Sequence, residues 1–105
     1  MFHVDWCPHC KVALPEWNKF KEDYDEKTMN GYTLQVTDVN CTDDKSPQVT
    51  AYLEKYGVDS FPTIKSVMKG NDGKDITIDF DAKTNYSNLE KFAQSVSLGN
   101  NTMIQ

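Results

Sequence analysis

Trp6-Cys7-Pro8-His9-Cys10-Lys11 is the stretch that decides how this 105-residue chain is read. Cys7 and Cys10 are separated by two residues, close enough to close a small disulfide and pass it on. Pro8 suits the first position of a helix, with Cys7 as its cap. A helix N-terminus presents unpaired backbone N–H groups and the positive end of the helix dipole. Both favour a thiolate over a thiol at Cys7, and the thiolate is the nucleophile. The hexapeptide points to thiol–disulfide exchange.

Working outward, Met1 to Asp5 is a short, mostly apolar run that fits a strand. Ala13, Trp17, Phe20 and Tyr24 follow the cysteines at helical spacing. Pro15 sits inside that helix and should kink it, and Asn30-Gly31 should close it. Tyr32, Leu34 and Val36 alternate as a strand running to about Cys41. Ser46-Pro47 opens a second helix, with Val49, Tyr52, Leu53 and Tyr56 as its apolar stripe and Gly57 as its stop. Pro62 to Met68 reads as a strand. Lys69-Gly70-Asn71-Asp72-Gly73 reads as a hairpin turn, followed by a strand through Ile76, Ile78 and Phe80. Ser87-x-x-Glu90 has the form of a capping box. Leu89, Phe92, Ala93 and Val96 form the last helical stripe, which Gly99 should end.

The order is β-α-β-α-β-β-α in a single domain spanning residues 1–105. Strands joined by a helix should be parallel with a right-handed crossover, and the last two should form an antiparallel hairpin. The expected architecture is an α/β four-stranded mixed sheet flanked by helices.

The net charge is −5, from 11 Lys+Arg and 16 Asp+Glu, and every cation is Lys. That balance disfavours nucleic acid and anionic membranes as partners. No apolar run approaches the roughly 20 residues of a membrane span. The three cysteines form one close pair and a single Cys41. An odd count is a poor disulfide framework; free cysteines are often small buried apolar residues, and Cys41 is expected to be one rather than a regulatory thiol. A tetrahedral metal site needs four ligands. Beyond the pair only Cys41, His3 and His9 are candidates, so no metal or other cofactor is expected. His3 is expected to be a packing or surface residue. Asn40, Asn85 and Asn100 begin Asn-x-Ser/Thr sequons that matter only in a secretory lumen. Without a secretory leader or retention signal in the chain, the expected location is cytoplasmic, or a secretory lumen if the N-terminus is trimmed.

The order of elements, with Cys-x-x-Cys opening the first helix, resembles the thioredoxin fold and the catalytic domains of protein disulfide isomerases. Trp6 precedes the first cysteine and Lys11 follows the second, as in that family. Pro15 stands where the family has its helix-kinking proline. Tyr56-Gly57-Val58-Asp59-Ser60-Phe61-Pro62-Thr63 looks like the segment carrying its cis-proline, which would be Pro62. Val39-Asn40-Cys41-Thr42 is similar to a strand end in disulfide isomerase domains. The similarity covers nearly the whole chain, and the Trp-Cys-x-x-Cys-Lys and Phe-Pro-Thr elements lie about fifty residues apart.

Three departures stand out. The family's usual N-terminal strand and helix are absent, leaving a minimal arrangement. Met1 occupies the position where many thioredoxins bury an acid, and Asp38 the position of its lysine partner. The dipeptide between the cysteines is Pro8-His9, where reductive thioredoxins have Gly-Pro and isomerases Gly-His. Pro-His is the pairing of strongly oxidising bacterial members.

The resemblance implies that Cys7 attacks and Cys10 resolves the mixed disulfide. Trp6, Pro8, His9 and Lys11 would tune the site, with His9 favouring the thiolate and so a stronger oxidant. The expected potential lies between about −270 mV and about −120 mV, the range of this fold. Phe61 and Pro62 would meet an extended substrate segment. The implied partners are protein thiols and disulfides and a reductase or oxidase, with the domain a monomer. Two alternatives stand beside this. Glutathione-dependent, glutaredoxin-like chemistry is disfavoured by Ser60-Phe61-Pro62 and its acidic surroundings. A non-catalytic binding module is disfavoured by the intact Cys-Pro-His-Cys.

Overall fold

The computed structural model describes residues 1–70 and 72–98. Asn71, the Gly99 stop, the Asn100 sequon and the C-terminal residues lie outside the described residues. The elements in chain order are β1 (Phe2–His3), α1 (Pro8–Tyr24), β2 (Thr28–Met29), β3 (Tyr32–Thr33), β4 (Val39–Asn40), α2 (Pro47–Tyr56), β5 (Lys65–Lys69), β6 (Asp75–Asp79) and α3 (Tyr86–Leu98). The described residues therefore show six short strands where four were expected.

β1 pairs parallel with β4, in the register Phe2 opposite Val39 and His3 opposite Asn40. β5 and β6 form the antiparallel hairpin expected from the Lys69–Gly73 turn. Phe2 joins the two pairs through an antiparallel bridge to Thr63, with N–H···O distances of 2.7 and 3.1 Å. The line of strands is thus β4, β1, the Thr63 segment leading into β5, then β6.

The helix starts follow the sequence closely. Cys7 caps α1 in an extended conformation with Pro8 at the first helical position. Ser46 caps α2 and its hydroxyl accepts from the Val49 N–H at 3.4 Å. Gly57 ends α2 with φ 63° and ψ 40°, the left-handed conformation that costs glycine least. Pro15 lies within α1, which runs on to Tyr24.

Two boundaries differ from expectation. α1 stops at Tyr24, six residues before Asn30-Gly31. Asn30 and Gly31, at φ 51° and 85°, instead turn the β2–β3 hairpin. Positive φ at both central residues is what a two-residue hairpin turn requires, and Asn-Gly supplies it best. The acidic residues Glu22, Asp23, Asp25 and Glu26 also oppose the negative dipole end and disfavour further helix. The second correction concerns α3. Asn85 caps it, its Oδ1 accepting from the Asn88 N–H at 2.8 Å. Ser87 already lies inside the helix, and the Glu90 carboxylate accepts from the Tyr24 hydroxyl on α1 rather than closing a capping box.

The core has two parts on opposite faces of β1. Met1 packs with Ala13, Trp17 and Phe20 of α1 and Leu89 and Ala93 of α3. Phe2 and Val4 pack with Cys7, Cys10, Cys41, Val49 and Val58. The period-2 alternation of a strand puts successive residues on these two faces. Among the described residues no helix is long and apolar enough to cross a membrane.

Candidate active site

The end of β1, the start of α1 and the segment before β5 converge on the two cysteines. Cys7 Sγ lies 3.6 Å from the Phe61 carbonyl oxygen, to which its S–H donates. The Phe61–Pro62 peptide bond is cis. Cys7 is 6% exposed and Cys10 is fully buried. Cys7, Cys10 and Cys41 are all free thiols.

The two thiols of the motif are driven in opposite directions. The Cys10 backbone N–H, aided by the Cys10 thiol and the His9 backbone N–H, lowers the pKa of Cys7 against the opposing effect of desolvation. These are the unpaired donors of the α1 N-terminus, aimed at the thiolate. Burial raises the pKa of Cys10, and the charge on Cys7 raises it further, against a lowering contact with the Val4 N–H. One thiol is shifted toward the thiolate and the other away from it.

Around the pair, Trp6 is open to solvent at 68% exposure. Pro8, His9 and Lys11 are exposed and Phe61 and Pro62 half-buried. The His9 influence on Cys7 runs through its backbone amide rather than its ring. Cys41 is buried, its thiol donating to the Val39 carbonyl at 3.6 Å. Burial raises its pKa. Among the described residues no three His, Cys, Asp or Glu side chains stand close enough to share a metal ion.

Two groups of contacts were not legible beforehand. The first is a clasp under the loop that leads into Trp6-Cys7. The Asp5 N–H donates to Thr42 Oγ1 at 2.8 Å. Asn40 Nδ2 donates to Asp5 Oδ1 at 3.0 Å, and the Thr42 N–H donates to Asn40 Oδ1 at 3.0 Å. The clasp fastens the end of β1 to the end of β4, and it engages the first sequon asparagine. The second group is centred on Asp38. His3, only 6% exposed, places Nε2 at 3.3 Å from one carboxylate oxygen, and Lys21 Nζ lies 3.0 Å from the other. Burial would raise the Asp38 pKa, but the hydrogen bonds from Lys21 and His3 outweigh it and the net shift is downward. His3 is therefore a buried polar residue tied to an acid, not an inert packing group. The position that aligned with a lysine carries a carboxylate whose cation comes from α1.

The Thioredoxin family model matches residues 1–95. The chain belongs to the thioredoxin family. It is 30% identical over 93 residues to a mitochondrial thioredoxin domain-containing protein of Schizosaccharomyces pombe, covering 88% of this chain and 23% of that one. It is 34% identical over 91 residues to protein disulfide isomerase-like 2-1 of Oryza sativa subsp. japonica, covering 87% and 22%. It is 32% identical over 88 residues to protein disulfide-isomerase A6 of Mesocricetus auratus, covering 84% and 18%. The chain thus spans about a fifth of the length of these thioredoxin-family relatives.

Proposed function

We propose that this thioredoxin-family domain is a thiol–disulfide oxidoreductase acting on protein disulfides through Cys7 and Cys10. The observation that carries the reading is the opposed environment of the two thiols. Cys7 sits under helix N-terminal amides that stabilise its thiolate, while Cys10, one turn on, is fully buried and its pKa is raised by that burial.

The exchange runs in two balanced steps. The Cys7 thiolate attacks one sulfur of a substrate disulfide. An S–S bond forms to Cys7, the substrate S–S bond breaks, and the second substrate sulfur leaves as a thiolate that takes up a proton. Cys10 then loses its proton and attacks Cys7 Sγ. The mixed disulfide breaks, the first substrate sulfur leaves as a thiolate, and the domain holds a Cys7–Cys10 disulfide. An external reductase resets the pair in this direction; in reverse, an oxidase loads it and the substrate is oxidised. The domain acts as a monomer.

Other residues serve these steps. Trp6, exposed beside Cys7, offers an apolar contact for substrate. The Phe61 main chain, whose carbonyl already touches Cys7 Sγ, pairs with an extended substrate segment as an added strand beside Pro62. Pro8, His9 and Lys11 form the rim that tunes access and charge. Stabilising the reduced form makes the disulfide more oxidising, so the Cys7 environment favours a potential above the thioredoxin end of the range. That potential also decides which compartment suits the domain, a reducing cytoplasm or an oxidising lumen.

The test is insulin reduction with wild type, Cys7→Ser and Cys10→Ser. Wild type should turn over and Cys7→Ser should not. Cys10→Ser should accumulate a mixed disulfide with insulin. Equal rates for wild type and Cys7→Ser would end the catalytic reading.

A further inference from the structure

The outer face of α1 changes character halfway along. Its inner face carries the buried Cys10, Ala13, Trp17 and Phe20. The opposite face of a surface helix is normally polar. The second half of α1 follows that rule, with Asn18, Lys19, Glu22 and Asp23 exposed. The first half breaks it. Pro8, Val12 and Pro15 are exposed there, and their spacing puts them within an arc of about 60°.

Pro8 has a local use, as the first residue of the helix. Val12 has none. A β-branched residue lowers helix propensity, and at 73% exposure its side chain gains little from burial. Val12 and Trp6, at 68%, are the two most exposed large apolar side chains among the described residues. They stand on either side of Cys7 in the chain. Single apolar residues on a surface are ordinary, whereas a run of them marks a contact. Residues 6–15 also hold no Asp or Glu in a chain with 16, and Lys11 is their one Lys or Arg.

The dimensions suit an extended chain joined to Cys7. Val12 lies about 8 Å from Cys7 along the helix axis. An extended chain advances about 3.3 Å per residue. A substrate cysteine at Cys7 Sγ therefore brings the residue two or three positions along the chain to Val12. Exchange at Cys7 supplies this occupant, because the mixed disulfide makes any contact with Val12 intramolecular. A second copy is the poorer occupant. Two chains of net charge −5 repel, and a two-fold contact through this face would set Lys11 beside its own copy.

We propose that Val12, with Pro15 beyond it, is a specificity-determining contact. It selects protein disulfides whose attacked cysteine has apolar residues two to three positions away. The proposal rests on Cys7 as the attacking thiol and adds which disulfides Cys7 prefers.

The experiment uses the reduced full chain in excess over three Gly/Ser peptides. Each carries one cysteine as a mixed disulfide with thionitrobenzoate. One has Ile at the second and third positions before the cysteine, one has Ile at those positions after it, and one has Ser throughout. The Cys7 thiolate attacks the peptide sulfur, the new S–S bond forms, and thionitrobenzoate leaves as a coloured thiolate. Covering about 40 Å² of apolar surface corresponds to about a fivefold change in rate constant. Wild type should therefore react about fivefold faster with one Ile peptide than with the Ser peptide. In Val12→Ser that ratio should fall below about twofold. Val12→Ala, the best helix former, serves if Val12→Ser fails to fold by circular dichroism. Equal rates with all three peptides in wild type, while Cys7→Ser releases no colour, would overturn the proposal and leave the thiol chemistry standing. A ratio retained in the folded Val12 variant but lost in Trp6→Ala would assign the contact to Trp6 and overturn it too. Wild type that releases no colour from any peptide would overturn both. A dimer by light scattering that Val12→Ser dissociates would give the face to a second copy and overturn the proposal.

Discussion

Thr42→Val tests whether the clasp beneath the active-site loop holds that loop in place. Valine keeps the branched shape and removes the hydroxyl. The structure then loses the bond from the Asp5 N–H at 2.8 Å and the one from the Thr42 hydroxyl to Asn40 Oδ1. Each such bond contributes about 0.5–1.5 kcal/mol net. Asp5 is exposed and Thr42 half-buried, so water can reach the freed groups and the low end applies. The expected loss is about 1 kcal/mol in urea denaturation, with a melting point lower by about 4 °C. Asp5 lies two residues before Cys7, so a loosened loop should also blur the amide contacts that favour the Cys7 thiolate and slow its alkylation at neutral pH. Asn40→Ala removes partners of the same network, and the double variant should fall short of additivity by about 0.5 kcal/mol or more. A loss below about 0.3 kcal/mol with full additivity would show that these bonds merely replace equivalent bonds to water. Unchanged alkylation would separate the clasp from the thiol.

Other expectations follow from single contacts. Leu89 is 1% exposed between α1 and α3, and Leu89→Ala should cost about 2–5 kcal/mol in denaturant unfolding. A loss under about 1 kcal/mol would mean that the helices close over the gap. Asp38→Asn should destabilise at neutral pH and not in strong acid. The folded pKa of Asp38 lies below its ordinary 3.8, so its contribution is present above that value and is lost as pH falls through the folded pKa. Unfolding curves from pH 7 to pH 2 should therefore converge, and a constant gap between the two proteins would refute the role of its ion pairs. Limited iodoacetamide treatment of the reduced domain at pH 7 should modify Cys7 ahead of Cys10 and Cys41, because only Cys7 is shifted toward the thiolate. Mass mapping that found Cys41 modified first would contradict the burial described for it.

Local signals were read correctly where the controlling atoms lie within a few residues. Pro8, Ser46-Pro47 and Gly57 set helix ends through their own dihedral angles and hydrogen bonds, so the elements that carry Cys7 and Cys10 could be placed from sequence. The paired cysteines and Phe61-Pro62 pointed to the family that the comparison then showed. Asn30-Gly31 failed as a helix stop because the same dipeptide also turns hairpins. The choice was made by strands on either side that the alternation alone did not resolve. Ser87 and Glu90 had the spacing of a capping box, yet Asn85 had an equally good acceptor two residues earlier and Tyr24 drew Glu90 away.

The sequence by itself determined the three helices and their order, the position of the dithiol and the stripes of α1 and α3 that form the core. Tertiary structure alone decided which residues meet across long separations. Asp38 finds Lys21 and His3 from 17 and 35 residues away, and Asp5 finds Thr42 from 37. Helix caps and stripes recur at fixed short spacing, so periodicity reveals them. Contacts between distant segments depend on strand register and helix packing, which no local spacing encodes.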